Sequence, residues 1–513
     1  MGSSRWKRAV VTFVLGLLAF VGLGGWALAS PVGAAPDDDF HLASIWCAWG
    51  DRDGLCSTGE EDGVKVVPQQ LVLAAHCYAF QPDQSAACVP TEDATLATTR
   101  VNSSGNYPPI FYGVTGAFAS QNIDASVISI RLFNSAIFVG AVIAVLALLR
   151  PGQRGPLIWS SAIALVPVGV FFIASANPSS WAVLSGVTVW IALTGYFTSK
   201  RRSFRIALGA LGAVLGVMGA GARSDAAVYV AFAALAAMIL SYRRGRDWLK
   251  LAVLPLALIA IGAYFFLTSG QTSWAVVAGA EQILDSGGET GSSLALLVSN
   301  FVMLPYLWAG NLGTWGLGWL DTTMLPTVWI VMIGVFVAVV FWGVRVMGRR
   351  KALVLALAIL ALIAMPLYVL HGQQAAVGTE VQPRYILPLM LIFTGVALSG
   401  FTRDDLGLSR LQGFVVLFGV AVANALALHT NMQRYLTGLD RSGANLNTNI
   451  EWWWSIPISP MTVWFVGSAA FALLMLGLYL LLFTGPGRRL LPGSEAGTAV
   501  EAPAIPAVTE SAR

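Results

Sequence analysis

The sequence has very few charged residues for its length, and this scarcity excludes an ordinary soluble protein. Only 11% of the 513 residues are Asp, Glu, Lys or Arg, whereas 56% are hydrophobic, and the mean hydropathy is +0.71. A soluble chain of this composition would expose large apolar patches and aggregate. Apolar stretches long enough to cross roughly 30 Å of hydrocarbon recur along almost the whole chain. The sequence therefore predicts an all-α polytopic membrane protein and shows no strand-period alternation typical of an outer-membrane barrel.

Motifs for nucleotide binding are also missing. There is no GxxxxGK[ST] or GxGxxG element in a suitable context and no short internal repeat, so ATP-driven chemistry is not expected. The net charge of +4 follows from membrane topology and indicates no nucleic-acid partner.

Twelve apolar segments predict membrane crossings. They are 9–29, 134–149, 156–175, 181–198, 204–221, 226–242, 249–268, 325–346, 352–370, 385–401, 411–430 and 460–483. A further apolar stretch, about 292–310, contains Asn300 and Pro305 between outside-type sequences, which favours a re-entrant or interfacial helix. The run from Ala9 to Ala29 exceeds the roughly 7–15-residue core of a secretory signal, so a retained helix is expected.

Basic residues orient these segments. Arg5, Lys7 and Arg8 precede the first one, which predicts a cytoplasmic N-terminus. On the resulting topology 22 of the 30 Lys and Arg lie inside, whereas 20 of the 26 Asp and Glu lie outside. The prediction is a multi-pass protein of the cytoplasmic membrane with both termini inside. Residues 1–484 form its membrane domain, with large external segments at 30–133 and 269–324, and 485–513 form a disordered tail.

Cysteine is rare and confined to one region. All four cysteines fall in the first external loop, namely Cys47, Cys56, Cys77 and Cys88. An even number in an oxidising compartment favours disulfides, and three pairings are open. His76 beside Cys77 is the argument for zinc, but the spacings match no zinc signature.

The densest acidic cluster stands directly after the first apolar run, in "PDDDFH". Ionisable residues close to a membrane are costly and usually functional. A helix start needs one capping acid, whereas this stretch has Asp37, Asp38 and Asp39, followed by His41. In a helix, Asp37 and His41 share one face. These residues are predicted to form a functional site, and simple helix capping is the alternative.

Three arginines are candidates on the same external side. Arg131 and Arg384 lie where external loops enter helices, and a guanidinium suits bidentate contact with phosphate. Interfacial snorkelling is the alternative explanation for both. Arg223 stands beside Asp225 in a tight turn, where a local ion pair is the simpler interpretation. The segment "GTWGLGWLDTTMLP" adds Trp319 and Asp321, since indoles stack on sugars, although most such Trp belong to the membrane interface.

Several of these stretches resemble landmarks of one family. "PDDDFH" resembles the Pro-Asp-Glu-x-x-His element of the bacterial membrane family called domain of unknown function 2142, with Asp38 in place of the Glu. "NYPPIFY", "RLFNS", "NPSSW", "GWLDTTMLP" and "VQPRYILPL" look like that family's further landmarks, in the same order. The resemblance extends to about residue 483, and Pro383 stands where the family usually has Gly.

This resemblance implies a function, because the family looks like part of the type-C polytopic glycosyltransferases (GT-C). Those enzymes take sugars from polyprenyl-phosphate donors outside the membrane and carry a catalytic acid after the first helix, the position of Asp37 and Asp38. The implied reaction is an inverting transfer to an envelope glycan or glycolipid, with Asp37 or Asp38 as general base. Arg384, with Arg131 or Arg223, would hold the leaving phosphate. The other substrate-binding candidates are His41, Trp319, Asp321 and Tyr385.

Three questions stay open at this stage. No cofactor is certain, although Mg²⁺ or Mn²⁺ would suit the carboxylates, and the metal site is left unknown. A transporter or flippase of lipid-linked sugars is the main alternative, but it would place ionisable residues at mid-membrane. A structural membrane protein with a partner-binding loop is the third, and it leaves Arg384 and the acidic cluster unexplained.

Overall fold

The computed structural model describes residues 2–91, 93–270, 290–379 and 381–488, and this part of the chain is mainly helical. Ten stretches of helix in it are long and apolar enough to cross a membrane. The helices of 17 or more residues are α1 (Gly2–Leu28), α5 (Ile123–Leu148), α8 (Ser179–Thr198), α9 (Arg202–Ala220), α10 (Ser224–Leu240), α11 (Arg246–Thr268), α12 (Thr290–Ala309), α13 (Pro326–Val344), α14 (Arg349–Gly372), α16 (Arg410–Leu436) and α17 (Pro460–Phe483). The shorter ones are α2 (Asp38–Cys47), α3 (Gln70–Tyr78), α4 (Ile110–Thr115), α6 (Arg154–Ala164), α7 (Val168–Ile173), α15 (Pro383–Ala397) and α18 (Gly485–Arg488).

The predicted all-α membrane architecture is confirmed. Nine of the twelve predicted crossings coincide with apolar helices of at least 18 residues. Two more, at 226–242 and 385–401, coincide with the apolar helices α10 and α15, which have 17 and 15 residues. The prediction of one unbroken helix over 156–175 is wrong, because α6 ends at Ala164 and α7 begins at Val168. Pro167 separates them, since proline cannot donate the backbone hydrogen bond that continuation would need.

The two ends of the helix bundle differ in composition. We call the end that carries residues 29–38 and the starts of α8, α10 and α15 the site end. The opposite, basic end carries the turns at 149–154, 199–202, 241–246, 345–349 and 398–410. Helices α1 and α17 pack antiparallel, with Gly25 against Gly467 and Leu15 against Gly477. The N-terminus of α1 and the C-terminus of α17 therefore both lie at the basic end.

Whether α12 crosses the membrane has to be decided from its flanks, because Leu294–Thr314 is long and apolar enough to do so. Before it, α11 reaches the site end, where the Gly270 N–H donates to the Gly105 carbonyl. After it, Trp319 Nε1 donates to the Gly33 carbonyl at 2.9 Å, again at the site end. Both flanks therefore lie on one side of the bundle, which agrees with the predicted re-entrant or interfacial segment.

Gly186 in α8 allows α8 and α15 to pack closely against each other. A Cβ on Gly186 would stand 2.8 Å from the backbone of Pro388, so only a residue without a side chain fits there. Helix α8 is the most enclosed of the candidate spans, with 78% of its apolar window buried. The close contact brings the first turn of α15, which contains Arg384, beside the start of α8.

The first segment predicted to be external is folded rather than a simple loop. A small antiparallel sheet, unforeseen from the sequence, joins β1 (Ser57–Thr58), β2 (Lys65–Pro68) and β3 (Thr95–Thr98) in that order. Two disulfides form in it, Cys47–Cys56 and Cys77–Cys88, which selects one of the three open pairings. Helix α5 starts at Ile123, so the segment ends earlier than the predicted residue 133. The predicted tail lies outside the described residues from residue 489 onward, and α18 occupies its first four residues.

Candidate active site

Asp37 and Arg384 meet at the site end. Asp37 is the N-cap of α2 in the left-handed conformation (φ 63°), and its side chain is 35% exposed. Arg384 Nη2 donates to Asp37 Oδ2 at 2.5 Å and to the Tyr385 hydroxyl at 3.0 Å, and Nη1 donates to the Pro36 carbonyl at 3.0 Å. Burial alone would raise the pKa of Asp37, but the charge and hydrogen bond of Arg384 lower it below its usual value. Asp37 is therefore an ionised carboxylate with access to solvent.

The two neighbouring acids have other surroundings. Asp38 is fully buried and its Oδ2 accepts the Ala35 N–H at 3.1 Å, so it fixes the turn before α2. Burial raises the pKa of Asp38 to about 7, in opposition to the charge of Arg131. Asp39 is also buried and forms a bidentate ion pair with Arg100, whose Nη2 lies 2.9 Å from Asp39 Oδ1. Of the three aspartates, only Asp37 presents its carboxylate outward.

His41 lies in an aromatic enclosure one turn into α2. Its Nδ1 is 2.8 Å from the Tyr112 hydroxyl, and its ring meets that of Tyr107 edge to face at 5.1 Å. Burial lowers the pKa of His41 well below its usual value, so the imidazole is neutral. Its Nε2 is buried without a hydrogen-bond partner. Burial also raises the pKa of Tyr107 to about 12. His41 is thus available as a neutral hydrogen-bonding group.

Arg223 also lies beside Tyr385. The guanidinium carbons of Arg223 and Arg384 are each 4.9 Å from the centre of the Tyr385 ring. Arg223 also forms the predicted ion pair with Asp225, through contacts of 2.9 and 3.0 Å. Two buried cations therefore flank one partly exposed aromatic ring, beside the Asp37 carboxylate.

Four helices begin at this cluster. Asp37 and Arg223 are the N-cap residues of α2 and α10, Arg384 lies in the first turn of α15, and Ser179, which accepts from Arg223, is the first residue of α8. Helix N-termini carry partial positive charge and unpaired N–H groups. The geometry consequently favours an anionic group near the cluster.

A narrow cleft opens beside Arg384, between residues 310–320 and 382–384. Three buried polar atoms on its walls have no hydrogen-bond partner: Arg384 Nε, Trp315 Nε1 and Gln382 Oε1. Phe172 and Val168 of α7 also line the cleft, and the Arg384 guanidinium carbon lies 5.5 Å from the centre of the Phe172 ring. The helix that begins after the interruption between α6 and α7 thus contributes apolar side chains to the cleft. Unpartnered polar groups thus occur on residues that line this mostly apolar cleft, and one of these residues, Arg384, is the partner of Asp37.

Arg131, a predicted phosphate ligand, has a different environment. Its Nη1 donates to the carbonyls of Ala27 and Ser30 at 3.1 and 2.5 Å, and its Nη2 donates to that of Pro31 at 2.6 Å. These carbonyls lie in the last turn of α1 and just after its end at Leu28, where helical partners are lacking, and Arg131 is only 2% exposed. The structure therefore gives Arg131 a role in joining α5 to the end of α1.

Trp319 and Asp321, predicted to bind substrate, also make structural contacts. Asp321 Oδ2 accepts from Arg434 Nη2 at 2.9 Å and from the Phe80 N–H at 3.0 Å. Trp319 packs edge to face on Phe80, with ring centres 5.7 Å apart. Arg434 is completely buried. The structure does not bring these two side chains into the Asp37 cluster.

Several members of the cluster were missed in the sequence. Arg100 is 49% exposed at its side chain and approaches Asp37 Oδ1 to 4.0 Å as well as binding Asp39. Tyr107 and Tyr112 belong to "NYPPIFY", and the resemblance of this stretch to the family is the only feature of the sequence that points to them. Asn177 donates from Nδ2 to the Pro36 carbonyl at 2.9 Å and so supports the backbone of Asp37. Among the described residues, no group of three or more His, Cys, Asp or Glu has the arrangement of a metal site.

Comparison with known proteins identifies one match. Residues 20–393 match a protein family described as "Predicted membrane protein (DUF2142)", and this range contains Asp37, Arg223 and Arg384. No curated protein and no solved structure matches the chain.

Proposed function

The chain belongs to the DUF2142 family of predicted membrane proteins, and on that premise we propose that it is a membrane glycosyltransferase. Its donor would be a sugar on polyprenyl phosphate, and its acceptor a cell-envelope glycan or glycolipid on the outer face of the cytoplasmic membrane. The observation that carries this proposal is the pairing of a partly exposed, ionised Asp37 with the buried guanidinium of Arg384 at one end of a membrane bundle. A transferase needs both parts, a base for the acceptor and a cation for the leaving phosphate.

Asp37 acts as the general base. The acceptor oxygen attacks the anomeric carbon from the side opposite the phosphate, and its proton passes to a carboxylate oxygen of Asp37. A carboxylate with a lowered pKa is too weak a base for a free hydroxyl, so the proton moves as the new C–O bond forms and the hydroxyl becomes acidic. The bond from the anomeric carbon to the phosphate oxygen breaks, and its electron pair leaves with polyprenyl phosphate. The configuration at the anomeric carbon is inverted.

Arg384 stabilises the leaving phosphate. Its Nε, buried and unpartnered on the cleft wall, is free to donate to a phosphate oxygen, and Trp315 Nε1 offers a second donor. Arg223 adds positive charge across Tyr385, although Asp225 neutralises part of it. Because the helix N-termini at the cluster also favour anions, charge that develops on the phosphate is stabilised without movement of the protein.

The exposed apolar face of α12 suits the prenyl chain. The cleft itself has a volume of only about 20 Å³, so its apolar wall residues Val168, Phe172 and Leu317 would meet no more than the end of the carrier next to the phosphate. An acceptor would approach from the other side of Asp37, where Arg100 is half exposed. His41 and Tyr385 are the candidates to position the sugars, since His41 interacts electrostatically with Asp37 and the Tyr385 hydroxyl accepts from Arg384, the partner of Asp37.

A transporter of lipid-linked sugars receives less support. Such proteins place ionisable groups near the middle of the membrane, on interrupted helices. Here the interrupted pair α6–α7 contributes apolar side chains to the cleft, and the Asp37 cluster lies where helices begin. The transferase interpretation accounts for the base and the cation together.

Mass spectrometry of envelope glycans tests the proposal. Cells that lack the gene should lose one sugar residue from one glycan, and the wild-type gene should restore it. The Asp37→Asn gene should not restore it, although its protein reaches the membrane in normal amount. An unchanged glycan profile in the deletion strain would refute the transferase function.

A further inference from the structure

Asn177 links the start of α8 to the backbone of the candidate site. The residue is completely buried two positions before α8, and its Nδ2 donates to the Pro36 carbonyl at 2.9 Å. The same carbonyl accepts from Arg384 Nη1 at 3.0 Å. On the basis of the transferase function proposed above, we propose that Asn177 is a positioning residue for sugar transfer. It fixes the direction of the Asp37 carboxylate through the peptide group that precedes it.

The backbone conformation of Asp37 depends on support from neighbouring elements. Its φ of 63° lies in the left-handed region, which costs free energy for a residue with a side chain. Such a conformation persists at a functional site only where surrounding contacts determine it. The Pro36 carbonyl and the Asp37 N–H belong to one peptide plane, so a rotation of this plane is coupled to the φ angle of Asp37. The two donors on the Pro36 carbonyl therefore also hold the Asp37 side chain in place.

Asn177 itself has little freedom to move. Its N–H donates to Ser175 Oγ at 3.2 Å, and its Oδ1 accepts the Ser179 N–H at 3.0 Å. Because a backbone N–H can only donate, this contact identifies the amide oxygen, and Nδ2 is the atom that faces Pro36. Helix α8 is also the most enclosed of the candidate spans. The Pro36 carbonyl is thus anchored to α8 through Asn177 and to α15 through Arg384.

The alternative is that Asn177 only caps α8. Capping uses Oδ1, whereas the contact with Pro36 uses Nδ2, so one substitution separates the two roles. Asn177→Ser retains a hydroxyl that can cap a helix, but its side chain is shorter and has no amide for Pro36. The exchange alters no charge, and the two adjacent aspartates and the other titratable groups around Asp37 stay unchanged. The latter are Arg384, Arg223, Arg100, His41, Tyr107 and Tyr112.

The first measurement reads the pKa of Asp37 without sugar transfer. The full chain in detergent is treated with a water-soluble carbodiimide, which reacts with the protonated carboxyl group, and mass spectrometry follows the labelling of Asp37 against pH. If Asn177 holds Asp37 against Arg384, the Asn177→Ser variant loosens that pair, and the pKa of Asp37 rises toward its ordinary value. The midpoint of labelling should therefore move to higher pH. An unmoved midpoint would overturn the proposal, whether or not the protein is a transferase.

The second measurement is sugar transfer in membranes. Asn177→Ser should lower kcat roughly 10- to 100-fold, because a small displacement of a catalytic group costs that much in rate. The KM for the donor should change little. A raised KM with an unchanged kcat would contradict a positioning role. Absence of transfer by the wild type would refute the proposed function, and the labelling midpoint would still decide whether Asn177 positions Asp37.

The matched control is Asn431→Ser. Asn431 is also completely buried, and its Nδ2 donates to the Ala29 carbonyl at 3.1 Å, outside the Asp37 cluster. This variant loses a comparable hydrogen bond and should lower the melting temperature by a similar amount, but it should leave the labelling midpoint and kcat unchanged. Equal effects of both variants would indicate general loosening of the bundle and overturn the proposal. If Asn177→Ser does not accumulate, Asn177→Thr fills more of the space and carries the same expectation.

Discussion

Arg384 Nη2 and Asp37 Oδ2 are joined by a hydrogen bond of 2.5 Å, although 347 positions separate the residues in the chain. The Arg384 side chain is 2% exposed and that of Asp37 is 35% exposed. The cation is thus held inside the protein while the carboxylate reaches outward. Under the proposed mechanism this asymmetry gives the two residues different tasks, with Arg384 fixed beside the cleft and Asp37 available to a substrate hydroxyl.

The first prediction separates the two candidate bases. Asp37→Asn should lower the rate of sugar transfer by roughly 10²–10⁴-fold, because an amide cannot accept the acceptor proton. Asp38→Asn and Asp39→Asn should cause much smaller losses, since both carboxylates are buried and engaged elsewhere. Transfer is measured in membranes with a radiolabelled donor, and the protein amount is checked by immunoblot. Near-normal transfer by the Asp37→Asn protein would exclude it as the base.

The second prediction concerns pH. The Arg384 guanidinium lowers the pKa of Asp37, and the base works only when ionised, so activity rises as the pH increases through this pKa. Arg384→Lys keeps the charge but loses the planar fork, and Arg384→Gln loses both. The acidic limb of the kcat/KM profile should therefore move to higher pH, further for Gln than for Lys. Arg441→Gln, which alters an exposed ion pair with Glu451, is the control and should leave the limb in place.

The third prediction concerns the buried pair of Asp321 and Arg434. Asp321→Asn leaves a completely buried guanidinium without its counter-charge, which costs roughly 3–5 kcal/mol of stability. Asp51→Asn breaks an exposed pair with Lys65 and should change the melting temperature little. Thermal unfolding in detergent compares the two proteins. An unchanged melting temperature with a raised KM for sugar would instead support the substrate-binding role first predicted for Asp321.

The fourth prediction concerns the cysteines. Alkylation of the unreduced protein should label no thiol, and peptide mapping should recover the crosslinks Cys47–Cys56 and Cys77–Cys88. Labelling of all four without a reductant would contradict the disulfides, and a Cys56–Cys77 crosslink would contradict their pairing.

The fifth prediction tests the path of α12. Single cysteines at Thr268 and Thr323 lie on exposed positions before and after it, and both should react with an impermeant maleimide from outside the cell. A cysteine at Arg350 should react only after permeabilisation, because it belongs to the basic end. If Thr323→Cys also required permeabilisation, α12 would cross the membrane and the topology would change.

The helices were predictable because hydropathy measures directly what a bilayer selects. Hydropathy gave no warning at Pro167, since the apolar run continues through the point where the helix is interrupted. The small sheet was unforeseen because its strands are two to four residues long, too short for a period-2 pattern to stand out.

The candidate site was predictable in its residue types and less so in their contacts. Asp37, His41, Arg223, Arg384 and Tyr385 come together in the structure. Arg131 and Asp321 looked equivalent to Arg384 and Asp37 in the sequence, because a charge near a membrane signals cost but does not reveal its partner. For these two residues the partners are carbonyls at a helix end and a buried arginine.

The left-handed backbone conformation of Asp37 restricts which residue types fit at this position. Of the residues with a side chain, Asn and Asp adopt φ near +60° most readily, and Glu pays a larger conformational cost. Glu at position 37 would therefore strain the backbone and also place its carboxylate differently. Besides Asp, the residues that fit this backbone best are Asn and Gly, and both lack a carboxylate. Under the proposed mechanism, a replacement that preserves the backbone at position 37 therefore removes the base.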